Sequence, residues 1–212
     1  MNLFCVVSLL KNKKKLIIII LSSVLAVLAL FFAVTGISAL LTPKVDTQNL
    51  TGNGDISLAE PDYTEDIFED EKYISKQREV FFTFDGDGEF ITAENYLTFS
   101  PAGEMFYNYF NCVIKGDYTL YPSFFSESFK KTAILPEKFT MQKLYDISVT
   151  LESRESADGG YTELYSVRYR IMDNNGTFRS DLENGTVIPV YYTVFVTKTD
   201  AVITGISAPS VK

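Results

Sequence analysis

The feature that most limits what this chain can become is a charge-free apolar run from Leu16 to Leu41, entered directly from Lys11, Lys13, Lys14 and Lys15. Leu16 to Val34 alone supplies nineteen uncharged residues, and a helix needs about 20 apolar residues to cross a hydrocarbon core of roughly 30 Å. Lysines beside a span favour the cytoplasmic side. The run therefore predicts a single-pass signal anchor over 16–41, with a basic cytoplasmic tail over 1–15 and all later residues outside the cell membrane. The competing reading is a cleaved signal peptide, because Gly36, Ser38 and Ala39 follow the apolar core. Signal-peptide cores run about 7 to 15 residues, and this one is longer.

Charge then limits the partners. Without the lysine cluster the chain carries 15 basic and 27 acidic residues, a net charge of −12. Such a surface repels nucleic-acid phosphates and anionic headgroups, so no nucleic acid is expected as a partner. The expected partners are the bilayer, through residues 16–41, and envelope proteins or further copies of the chain. Cys5 and Cys112 fall on opposite sides of the membrane in this topology and cannot pair within one chain. The external part must then rely on a packed core, which its length allows. Cys112 is expected to be a small buried residue on a helix, with an intermolecular bridge as the alternative.

Residues 42–71 change character. Nine acids and no base lie between Asp46 and Glu71, with Pro43, Pro61, Gly52 and Gly54 nearby. This composition predicts an extended, mobile acidic spacer, or else an acidic docking tail. Ile67, Phe68, Tyr73 and Ile74 mark a short helix near its end.

Residues 72–99 contain VFFTFDGDGEFITAE. With Gly88 as the invariant glycine of a calcium-binding loop, Asp85, Asp87 and Glu94 fall on its third, fifth and twelfth positions. These three are the candidate metal ligands. Thr83 then takes the first ligand position in place of a carboxylate, and the β-branched and aromatic flanks favour strands. The other reading is a β-hairpin whose Asp and Gly residues serve a tight turn.

From residue 100 the apolar period becomes helical. Ser100 is a suitable N-cap before Pro101, and Met105, Phe106, Tyr109, Phe110, Val113 and Ile114 repeat on one face until Gly116. Asp117 is expected to cap a second helix with an aromatic stripe of Tyr118, Tyr121, Phe124, Phe125 and Phe129, its first turn tightened or broken at Pro122. Beyond Lys138 the period becomes two. Strands are expected at Ile147–Leu151, Tyr165–Ile171, Val187–Val196 and Val202–Ile206, with turns at Asp158–Gly160, Asn174–Thr177 and Lys198–Asp200. The fold class is α+β: helices packed on a curved, antiparallel four-stranded meander, cone-like, over 100–212. Pro189 should occupy an edge or bulge. The aromatic residues Phe106, Phe110, Tyr121, Phe125, Tyr165, Tyr169 and Tyr192 serve either as core or as the lining of a pocket.

The stretch FYNYFNCVIKGDYTLYPSFFSESF, from Phe106 to Phe129, followed by four alternating strands, resembles the nuclear-transport-factor-2-like superfamily. The resemblance implies a cone-shaped domain. It is similar, in its membrane-tethered members, to assembly subunits of conjugative and type IV secretion machines, and it implies a non-catalytic interaction role. Other members are isomerases and dehydratases that use pocket acids, tyrosines and often histidine, and this chain has no histidine. No acid stands out on an apolar strand face, so no catalytic residue is assigned and no cofactor is expected. The alternative reading is a small-ligand-binding or sensing module, or a weak acid–base enzyme, using the cone. The Asn-Gly pairs at Asn175 and Asn184, both within glycosylation sequons, read as hairpin turns.

Overall fold

The computed structural model describes residues 56–207; the expected tail, membrane segment and first part of the spacer lie outside them. Among the described residues no helix is long and apolar enough to cross a membrane. They form an α+β domain built on one six-stranded mixed sheet.

Strands β1 (Val80–Phe84) and β2 (Asp87–Ile91) form a hairpin in which Phe84 pairs with Asp87. Asp85 and Gly86 close it with φ of 51° and 92°. Two central residues with positive φ are what a type I′ turn requires, and Asp-Gly is a favoured pair for it. The antiparallel meander follows later as β3 (Lys143–Ala157), β4 (Gly160–Met172), β5 (Val190–Val196) and β6 (Ala201–Ser207). The expected four-stranded sheet is therefore incomplete. The hairpin joins it through parallel pairing of β1 with β3, from Phe81 opposite Ser148 to Thr83 opposite Thr150, giving the order β2-β1-β3-β4-β5-β6. Bulges interrupt β3 near Tyr145–Ser148 and Leu151–Ser153, and the β5–β6 pairing near Thr193. Bulges bend and twist a strand, which curls the sheet. Pro189 lies just before β5, outside the strand, so its missing N–H costs the ladder nothing.

Helix α2 (Pro101–Ile114) packs against the sheet, preceded in chain order by the single-turn α1 (Glu71–Ile74). Ser100 Oγ accepts from the Gly103 amide at 3.3 Å, and Gly116 takes φ +67° just past the helix end. All six apolar positions expected on its inner face are buried, as is Cys112. The second helix differs from expectation. Pro122 restricts the segment to a 3-10 turn, Tyr121–Phe124, and α3 is a single turn, Glu127–Lys130. Between them Phe125 is extended and bridges Ile203, and the Ser126 amide donates to Ile203 O at 2.9 Å, covering the β6 edge.

The end of the acidic spacer is also different: it is folded onto the domain. Ile67 and Tyr73 are buried, and Tyr73 OH donates to Leu144 O at 3.0 Å. The Lys143 ammonium lies 2.8 Å from Glu65, 2.8 Å from Asp70 and 3.1 Å from Asp173. Asn175 and Asn184 sit in the 173–189 connection between β4 and β5 and not at hairpin tips. There the Asn175 and Thr177 side chains join Thr140 and Gln142 in one hydrogen-bonded cluster.

Candidate functional site

The curled sheet and α2 bring all seven aromatic candidates together. Phe106 and Phe110 come from α2, Tyr121 and Phe125 from the segment after it, Tyr165 and Tyr169 from β4, and Tyr192 from β5. None is more than 3% exposed. They touch ring to ring: Phe106 lies 5.1 Å from Tyr165 and 5.8 Å from Tyr192, Phe110 lies 5.8 Å from Tyr169, and Tyr121 lies 5.0 Å from Phe125. Edge-on pairs at these separations are favourable packing. Phe82 and Tyr109 also belong to the cluster, and Phe124, Phe129, Phe139 and Phe178 extend it. Tyr109 belonged to the helical stripe, whereas the place of Phe82 depends on the β1–β3 pairing, a long-range choice that periodicity does not encode.

The buried hydroxyls all have hydrogen-bond partners. Tyr109 OH lies 3.1 Å from Tyr192 OH and 3.4 Å from Tyr121 OH. Arg179 donates to Tyr169 OH at 2.8 Å while gripping Asp181 through two bonds of 2.7 Å. Burial pushes the pKa of Tyr109, Tyr121, Tyr169 and Tyr192 up, so these hydroxyls stay protonated and act as hydrogen-bonding groups.

One acid does lie on the apolar strand face, contrary to the sequence reading. Glu163 is 1% exposed and alternates in register with Tyr165, Val167, Tyr169 and Ile171 on β4. The period-two pattern was readable two residues earlier than Tyr165, and extending it would have found this residue. Both carboxylate oxygens are engaged: Oε1 accepts from Arg154 at 2.7 Å and Oε2 from the Tyr165 hydroxyl. Burial first, and the bond to Glu163 second, push the Tyr165 pKa up. The Arg154 guanidinium in turn lies 4.6 Å from the Phe84 ring centroid. Glu163 is thus a paired, buried carboxylate that ties β3 to β4.

The calcium candidates are spread along the hairpin. Asp85 is in the turn, Asp87 opens β2, and Glu94 follows β2, where hydrogen bonding to Thr92 holds its pKa below the usual carboxylate range. Among the described residues no group of three or more His, Cys, Asp or Glu is placed to hold a metal. Asp85 and Asp87 do line, with Phe82, Phe84, Glu89 and Phe99, an open cleft of ≈ 600 Å³ beside the start of α2. Cys112 donates its thiol to Asp117 O at 3.0 Å, and burial pushes its pKa up to about 12. No family model, curated protein or solved structure matches this chain.

Proposed function

We propose that this chain is a single-pass membrane protein, N-terminus in the cytoplasm, whose external domain is a non-catalytic interaction module of a cell-envelope assembly. The observation that carries the reading is the charge-free run Leu16–Leu41 directly behind four lysines. The nuclear-transport-factor-2-like reading belongs to the same proposal. A hairpin, one long helix and a four-stranded meander, with bulges that bend the sheet, agree with a cone-like domain. Fold alone does not fix function. The interaction role draws support from the interior, where rings fill the space that a ligand in the cone would need. A body with a filled interior meets partners through its outer surface, and β2 ends the sheet among the described residues with Phe90 and, beyond it, Leu97 exposed.

Protease treatment of intact cells carrying a tag at each terminus tests the topology. The reading expects the C-terminal tag to be digested and the N-terminal tag to be protected until the membrane is permeabilised. Protection of both tags, or release of the chain by alkaline carbonate, rejects it.

A further inference from the structure

A second cleft, which shares Phe110 with the aromatic interior, lies between residues 76–80, the Ile91–Ala93 end of the hairpin and the latter half of α2, with a volume of ≈ 340 Å³. Val80, Ile91, Phe110 and Ile114 supply part of its apolar lining, and all four are buried residues of the core. Two cations, Lys76 and Arg78, stand in its wall beside a single acid, Glu79.

Acids outnumber bases 25 to 13 among residues 56–207, and Lys130, Lys143, Arg154, Arg170 and Arg179 each sit within 4.0 Å of a carboxylate. Among the described residues Lys72, Lys115, Lys131, Lys138, Arg168 and Lys198 have no such partner, and neither do Arg78 and Lys76. Aromatic faces hold them instead: the Arg78 guanidinium lies 5.7 Å from the Phe68 ring and 5.6 Å from the Tyr73 ring, and the Lys76 ammonium lies 5.5 Å from the Tyr145 ring. A cation held over a ring face keeps N–H donors that the ring does not take up, and it loses part of its conformational freedom. The result is a guanidinium held against two rings at the wall of a cleft whose lining is part apolar and part polar.

We propose that this cleft binds small amphipathic monocarboxylates, with the carboxylate on Arg78, Lys76 assisting at the rim, and an aromatic or short aliphatic body against Val80, Ile91, Phe110 and Ile114. The volume suits a small ligand. Glu79 adds one negative charge to the same wall, which selects a monoanion over a dianion. The site is independent of the membrane reading, because it is built wholly within the described domain.

The test uses the full-length chain and 4-(4-fluorophenyl)butyrate, followed by fluorine NMR, with its primary amide as the neutral control. The acid should bind saturably at one site and shift the methyl signals of Val80, Ile91 and Ile114. Loss of the charge-assisted bond should weaken the amide about tenfold. Arg78→Gln should weaken the acid by a similar factor and leave the amide unchanged, and Lys76→Gln should have a smaller effect of the same sign. The proposal is overturned if the acid fails to saturate, if the amide binds as tightly as the acid, or if the shifted methyl groups lie elsewhere. The last two comparisons use the unsubstituted chain, so they decide the matter even if Arg78→Gln loosens the fold.

Discussion

Phe106→Ala is the sharpest probe of whether the aromatic residues are core or pocket wall. Phe106 is 0% exposed and packs on Phe82, Phe110, Tyr165 and Tyr192 at centroid separations of 5.1–6.5 Å. Truncating a buried phenylalanine to alanine costs about 3–5 kcal/mol, from lost transfer energy and the cavity left behind. The upper half of that range is expected here, because the ring contacts four other rings, and each such pair adds roughly 0.5–1.5 kcal/mol beyond area. With a urea slope of about 2 kcal/mol/M, the unfolding midpoint should fall by about 2 M at an unchanged slope. Tyrosine emission reports the transition without interference, since the chain has no tryptophan. A loss below about 1 kcal/mol would mean that the ring borders open space, and the filled-interior account would be wrong.

Four further outcomes follow from the same contacts. Val194→Asp, at a 0% exposed position on β5, should unfold the domain, and a retained cooperative melt would refute the assigned register. Gly116→Ala should destabilise, since φ is +67° and an added Cβ would lie 2.7 Å from the Met141 amide nitrogen; an unchanged melting temperature would contradict that geometry. Lys143→Met should raise amide exchange across Ile67–Ile74, which unaltered protection would disprove. Its pH dependence has two limbs: hydrogen bonding to Asp70, Glu65 and Asp173 outweighs burial and raises the Lys143 pKa, so its contribution is complete below the unfolded lysine value and is lost as pH rises through the folded one. Lys143 holds the Asp70 pKa down, so that contribution is present above the unfolded carboxylate value and is lost as pH falls through the lowered one. In the folded chain Cys112 should resist alkylation at neutral pH, read peptide by peptide in a mass spectrometer, and prompt labelling would contradict its burial.

Local chemistry was legible in the residues; long-range choices were not. Ser100, Pro101 and Gly116 bound α2, and the Asp85–Gly86 pair closes the hairpin, because caps and positive-φ turns are decided within a few residues. The strand positions of the meander also follow from alternation, although β3 and β4 run further than their apolar cores suggested. Parallel pairing of β1 with β3 left no local mark, since alternation identifies a strand but not its neighbour. The aromatic stripe after Asp117 carried helical spacing, yet Pro122 and the open edge of β6 prevailed, and Phe125 became extended. The acidic spacer read as solvated because its charges were counted without their partner: Lys143 lies about 70 residues further on, beyond the reach of a compositional window.

The central claim is that a membrane-held external domain works by engaging envelope partners. In-cell cross-linking of the tagged full-length chain, followed by membrane solubilisation, sizing and mass spectrometry, tests it most directly. The account predicts a discrete complex in the membrane fraction containing specific envelope proteins or further copies of the chain. Recovery of the chain alone, or outside the membrane fraction, would contradict it.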